Sequence, residues 1–433
     1  MNRAAFLTLL LAAVVGAQDL VPKAAPQKGP IAVVNCTLHP VDGPTLQKAW
    51  ILFDKGRIVK IGTGDGAFDD GVDVHDAKGQ HVYPGFIAPY TSLGLVEISA
   101  VRATVDMREV GELKPEARAA VAVNPDSTLI PVTRSNGVLT FTAFPRGGAI
   151  PGRAGIMSTD GWTWEDMAIR ADAGLVVNWP NPNPPPLPER ARRRGRRPPE
   201  ERGSKRLERI REAFTAARVY VDATEFEPDT PIDVRWEAMR PVLTGKRPVF
   251  FIADDYAQIV SALDFAETWR LKAVIVGGRD APLCADQLKK RDVPVILRGV
   301  HTFPRRNDSD INEIYGLPAQ LEKAGVRWCL ASGERVANER NLPYTAGRAV
   351  AFGLPRAAAL EAITLRAATI LGVGEELGSL TPGKRATLFV CDGDPLQIPT
   401  KVTAAWIDGR RVSLDNKQIA LERKYREKLR QKK

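Results

Sequence analysis

Apolar residues in this chain occur in two patterns. "GVLTFTAF" (137–144), "RPVFFIA" (247–253), "KAVIVGG" (272–278), "VPVILRG" (293–299) and "VRWCLAS" (326–332) are short runs rich in Val, Ile and Phe, apolar at consecutive positions. A strand covered on both faces reads this way, because neither face presents side chains to water. Between them, "YAQIVSALDFAETWRL" repeats apolar residues at spacings of three and four. "CADQLKKRD" and "PAQLEKAG" do so more briefly, and "PRAAALEAITLRAATILGVG" is a helix pattern that stops at glycine. Strand and helix in repeated alternation predict a parallel sheet, either closed as a β/α barrel or doubly wound.

The two ends of the chain have the second pattern. Ile31 to Val34 and Trp50 to Phe53 read as short strands. "DKGRIVKIGTG" turns at Lys55-Gly56 and then alternates through Ile58, Val59 and Ile61. Near the other end, "GSLTPGKRATLFVCDGDP" and "KVTAAWIDGRRVSL" are strands punctuated by Gly, Pro and Asp-Gly. Short strands at both ends around a long middle predict one small β unit built from both termini.

Two segments fit neither pattern. Arg3, the apolar run Ala4 to Val15 and "VGA" at 15–17 form the ordered parts of a secretory leader, with cleavage expected before Gln18. The run is too short to span a bilayer, and the expectation is an exported, periplasmic or secreted protein without a membrane span. Asn178 to Lys205 is proline-rich and then arginine-rich, and is expected to be an exposed loop.

Composition changes this picture only in detail. Hydrophobic residues make up 44% and charged residues 26% of the 433, as in a soluble globular protein. The net charge of +10 is concentrated in places. Glu189 to Glu212 carries eleven Lys/Arg against five Glu, and Leu421 to Lys433 carries seven against two. The folded body therefore needs no polyanionic partner, and no specific nucleic-acid binding is expected. Cys36, Cys284, Cys329 and Cys391 form no C-x-x-C pair, which argues against a cysteine zinc site. Neither Walker and Rossmann glycine patterns nor G-x-S-x-G nor H-E-x-x-H occurs.

Several longer motifs carry a resemblance: "GRIVKIGTG", "DAKGQHVYPGFI", "NLPYTAGRAVAFGL", "ALEAITLRAATILGVGEELGSLTPGKRATLFVCDGDP" and "AAWIDGRRV". In this order and spacing the chain resembles the amidohydrolase superfamily, most closely its imidazolonepropionase-like branch. The resemblance implies an α/β fold, a (β/α)8 TIM-type barrel (84–377) beside a composite β-sandwich from 18–83 and 378–420. A leader (1–17), the Pro/Arg-rich loop (178–205) and a basic tail (421–433) complete the expected organisation. It also implies hydrolysis of non-peptide C–N bonds at a metal, usually zinc, which acidifies water at the carboxyl ends of the barrel strands.

The ligand positions that the resemblance implies hold other residues here. The first-strand acid and H-x-H pair fall on Ala88, Tyr90 and Ser92, in "PGFIAPYTSLGL". The histidines after the fifth and sixth strands fall on Ile252 and Gly277, and the aspartate after the eighth falls near Gly333. The chain has four histidines, and three of them, His39, His75 and His81, lie in the N-terminal β region. A catalytic zinc needs about three protein ligands. No metal or other cofactor is therefore expected, although His301, Asp254, Asp280 and Glu334 leave a weakly held divalent cation open.

The candidate residues follow from the same strand ends. Asp280, His301 and Glu334 are the candidate catalysts if chemistry persists. Tyr90, Ser92, Asp254, Gly277, Gly278 and Arg279 are candidate ligand-binding residues. Asp254-Asp255 also reads as a helix cap. "GGRD" (277–280) reads equally as a tight turn, "PRGGAIPG" (145–152) as a pocket loop or a turn, and Trp162 and Trp164 as a lid or as packing. Three functions stay open. The missing ligands favour a catalytically silent or remodelled protein that binds a small molecule at the barrel mouth, or a partner such as an active amidohydrolase paralogue. The alternatives are a hydrolase of cyclic amides or amidines with a rebuilt site, and polyanion or partner binding through the arginine-rich loop.

Overall fold

The computed structural model describes residues 21–184, 199–227, 229–304, 309–333 and 335–431. The expected leader and most of the Pro/Arg-rich segment lie outside them, as does Glu334. The described strands form two eight-stranded sheets.

The first sheet joins the chain ends. Its strands are β1 (Ile31–Leu38), β2 (Leu46–Asp54), β3 (Arg57–Thr63), β4 (Asp73–Asp76) and β5 (His81–Pro84) from one end. From the other come β14 (Leu388–Cys391), β15 (Val402–Ile407) and β16 (Arg410–Arg411). The link is β14, which pairs antiparallel with both β5 and β15. Val33, Leu38, Ile51, Phe53, Val82, Leu388, Val390 and Trp406 form its buried core. Hydrogen bonding places all eight strands in one sheet, so the pairing marks no division into two packed layers.

The second sheet is the barrel. Its strands, in chain order and in sheet order, are β6 (Phe86–Thr91), β7 (Val138–Ala143), β8 (Gly152–Ser158), β9 (Ala168–Asn178), β10 (Val249–Ala253), β11 (Ala273–Gly277), β12 (Val295–Arg298) and β13 (Trp328–Ala331). The end strands β6 and β13 lie against each other, so the ring is nearly closed. The expected count of eight holds, but a strict (β/α)8 order does not. β8 runs antiparallel to both β7 and β9, while every other neighbouring pair is parallel. The reason is local: only the eight residues 144–151 join β7 to β8, which is too few for the crossover that parallel neighbours need.

Side chains alternate across the barrel wall. Ile87, Phe250, Val274, Val276, Ile296 and Cys329 belong to an inner cluster, which the helix Leu365–Ile370 joins through Ala367 and Ala368. Val249, Phe251, Ile275 and Val295 face the outer helices in the larger core. Arg170, near the start of β9, donates to the Gly372 carbonyl at 2.8 Å, so this helix seals the barrel floor. Also at the floor, beyond the end of β8, buried Asp160 pairs with Arg134 at 3.2 Å and with Arg410 of β16 at 2.9 Å. This ion triad ties barrel to sheet.

The arginine-rich segment departs from expectation. From Pro199 it is helix, a 28-residue element ending at Phe226, so the loop does not extend to Lys205. Ile210, Ala213, Phe214, Ala217 and Val221 are buried in the main core at helical spacing. Phe214 meets Phe265 edge-on at 5.1 Å between ring centroids. Once the prolines stop, Glu, Lys and Arg are good helix formers, and the charges occupy the outer face. The basic tail is helical too, over Lys417–Arg430, capped by the Asn416 side chain and burying nothing.

Candidate functional site

The site lies where the parallel strands end. A cavity of about 480 Å³ opens there, lined from β6, β10, β11, β12 and β13 and from the loops that follow them. Active sites on this architecture occupy the same face, because the loops that leave the strands converge on it.

Five of the candidate ligand-binding residues reach this cavity: Tyr90, Ser92, Asp254, Gly277 and Arg279. Gly278 does not line it. Its N–H donates to the Ala253 carbonyl at 2.8 Å, as part of the turn that ends β11. "GGRD" is thus both things at once, a tight turn in its backbone and a pocket wall through Gly277 and Arg279.

Of the candidate catalysts, the two described ones do not line the cavity. Asp280 is buried away from the cavity, and its Oδ2 accepts the Tyr256 N–H at 3.0 Å, at the start of the helix Tyr256–Thr268. His301 is exposed, outside the cavity lining, with its ring 6.4 Å from that of Tyr315. Glu334 lies outside the described residues. Asp254 and Asp255 divide the roles foreseen for them. Asp255 forms a capping box with Gln258, and Asp254 turns into the cavity to pair with Arg298. Trp162 is exposed and Trp164 stacks under Arg118; neither lines the mouth, so they form no lid over it.

The residues that sequence reasoning missed are arginines. Arg108, Arg146, Arg298 and Arg335 join Arg279 around the cavity. Arg298 ends β12 and is half-buried, as is Arg279; Arg108, Arg146 and Arg335 are exposed at the rim. Tyr90 sits between two of them. The Arg146 guanidinium carbon is 5.7 Å from its ring centroid and that of Arg298 is 5.9 Å, both within cation–π range. Phe144 supports the ring from below at 4.8 Å. Burial works against the Arg298 charge, but Asp254 and Tyr90 outweigh it and hold the guanidinium above its ordinary pKa. Arg146 is carried on the 144–151 hairpin, which Asn178 pins by donating to the Gly147 and Gly148 carbonyls at 3.0 and 2.9 Å. A signal was available: in "VPVILRG" one charge ends an otherwise apolar buried strand.

The metal positions are closed as well as substituted. Tyr90 and Ile252 pack against the inner barrel cluster, and Ala88 is fully buried toward the outer helices. A Cβ placed on Gly277 would lie 2.6 Å from both the Ala253 carbonyl oxygen and Asp254 Oδ1, and its φ of +124° is strained for any other residue. Gly333, with φ of +68°, backs onto the Arg298 carbonyl and the Cα of Gly299, 2.9 Å from where its Cβ would stand. Neither glycine position has room for a side chain. Among the described residues no group of three His, Cys, Asp or Glu is placed to hold a metal ion. The described residues at the positions that the resemblance assigns to metal ligands do not fit the superfamily's metal.

The comparisons with known proteins match this architecture. A family model described as the amidohydrolase family fits residues 253–412, from the end of β10 through β16. Over those residues the chain is similar to the amidohydrolase family. Amidohydrolase tasK of Hapsidospora irregularis is 21% identical to this chain over 388 residues, covering 83% of it and 39% of tasK. The chain thus spans about two-fifths of the length of that relative. An amidohydrolase from Thermotoga maritima MSB8 shares the fold with a TM-score of 0.79 at 24% identity, covering 88% of this chain and 99% of that one. A molinate hydrolase gives 0.53 at 15% identity, with 90% and 96% covered. The structural likenesses show a shared fold, the family model matches only 253–412, and neither reaches the imidazolonepropionase-like branch.

Proposed function

We propose that this chain is a catalytically silent amidohydrolase-superfamily member that binds a small molecule in its barrel mouth without a metal. The observation that carries the reading is the closure of Gly277 and Gly333, which leaves these two positions, after the sixth and eighth strands, without space for a metal-ligating side chain. The cavity itself persists at about 480 Å³, the size of a small-ligand site. Binding and hydrolysis separate here because the fold supplies the concavity and the ligands supply the chemistry. The order of basic, apolar and small-residue parts in residues 1–17 makes export part of the same proposal. The mature chain is then expected to begin near Gln18, which N-terminal sequencing of protein from its native host checks.

The test of the main reading is elemental analysis of protein purified without chelator, paired with hydrolysis assays. Cyclic amides and dipeptides are offered with added Zn²⁺, with Mn²⁺ or with neither. Metal-free, inactive protein is the expected result. One tightly bound zinc per chain, with activity lost on its removal, overturns the reading; metal-free hydrolysis overturns its silent half.

A further inference from the structure

Resting on the binding-site reading above, we propose that the occupant of the barrel mouth is a small dianion, gripped by half-buried Arg279 and Arg298 and drawn in by the rim arginines. The argument begins with charge. Among the described residues that line the cavity, five are arginines, Arg108, Arg146, Arg279, Arg298 and Arg335, and one is a carboxylate, Asp254. Asp254 is already committed to Arg298, so it neutralises one guanidinium and no more. Over these described lining residues alone, the cavity carries a formal excess of positive charge in a concave place.

Like charges gathered in such a place repel one another, and a bound anion relieves that repulsion. Arginine is also the side chain whose planar fork matches a carboxylate or phosphate edge with two parallel hydrogen bonds. The surrounding groups suit the rest of such a ligand. The Tyr90 ring has both the Arg146 and the Arg298 guanidinium within cation–π range, at 5.7 and 5.9 Å. Ser92 and Thr302 add hydroxyls to the wall. Gly277 and Gly333 both line the cavity. Arg146 is set on a pinned hairpin, so its position is largely prepaid in the fold and binding loses little conformational freedom. A neutral ligand would leave this charge unanswered, and a cation would meet it head-on.

The chemistry is shared by dicarboxylates and phosphates, and the experiment separates them. The full chain is titrated calorimetrically with succinate, with inorganic phosphate and with neutral succinamide, at low and at moderate salt. Succinate or phosphate is expected to bind at least about tenfold more tightly than succinamide, the worth of roughly one charge-assisted contact. Whichever of the two binds more tightly names the source. Affinity is expected to fall as salt rises. Arg146→Gln and Arg335→Gln, both at exposed positions, are each expected to weaken the anion about three- to tenfold with an unchanged melting temperature. Succinamide binding as tightly as succinate overturns the anion assignment and leaves the small-molecule reading intact. Failure of both anions to bind at about 10 mM also overturns it. Zinc-dependent hydrolysis sinks the silent-binder reading instead, and does so without touching the ratio of succinate to succinamide.

Discussion

At the scale of residues, two glycines decide more than the missing histidines do. A histidine lost by simple substitution could return by the reverse change. Gly277 cannot take one, because its Cβ would stand 2.6 Å from two oxygens and its φ is +124°. Gly277→His is therefore expected to cost about 1–3 kcal/mol in backbone strain alone and to bind no zinc. Denaturant titration and elemental analysis of that variant check both halves, and a stable, zinc-loaded Gly277→His protein would refute the closure. The sequence made part of this site legible. Tyr90, Ser92, Asp254, Gly277 and Arg279 could be placed because each ends a recognisable strand. Arg146 and Arg298 could not be joined to them, because they are 152 positions apart and only barrel closure brings both to one tyrosine.

At the scale of elements, composition misled where periodicity would have served. The arginine-rich stretch was expected to stay unpacked through Lys205, yet Ile210, Phe214, Ala217 and Val221 form one apolar stripe on the helix Pro199–Phe226. Its charges dominate the count, while its few apolar residues decide the packing. Phe214→Ala is expected to lose about 3–5 kcal/mol, read as a lower denaturation midpoint, because it empties a slot against Phe265 and Trp269. Trypsin is expected to spare Arg206, Arg209 and Arg211 in the native protein, since cleavage there requires the docked helix to open. β8 and β9 escaped notice for a different reason. "GRAGIMS" and the start of "AIRADAGLVVN" carry small and charged residues, which dilutes the apolar run that marked the other barrel strands.

At the scale of the molecule, stability has an acid-sensitive term that the barrel does not supply. His39 follows β1; its Nε2 lies 3.0 Å from His81 Nδ1, and its ring stacks on Tyr83. Burial first, then the neighbouring His81 and Arg356, push its pKa down from 6.5 to about 4, against the pull of Asp394. The native protein thus keeps His39 neutral where the unfolded chain would protonate it. Between those values the unfolded state binds more protons, so this contribution is complete above about pH 6.5 and is lost as pH falls toward 4. His75 is shifted in the same direction, chiefly by burial. Melting temperatures at pH 7, 5.5 and 4 are expected to fall less steeply in His39→Gln than in the parent. Parallel slopes in the two proteins would assign the acid loss to other groups. The terminal strand clusters pointed to a sheet shared by both ends, and the apolar runs to a parallel sheet whose closure into a barrel only the resemblance implied; the reversed β8 was not legible, because direction leaves no mark on composition.

That reversed strand sets an order of assembly. β7, β8 and β9 are consecutive antiparallel neighbours, so their contacts close short loops and cost little chain entropy. The contact between β6 and β13 must instead gather nearly the whole barrel first. Folding is expected to begin in the meander, which already carries Arg146 in its first turn, and to finish where the ring shuts. Ile156→Val in β8 would then slow refolding, whereas Leu330→Ala in β13 would chiefly speed unfolding. The mouth would acquire one of its cations before it had a barrel to stand on.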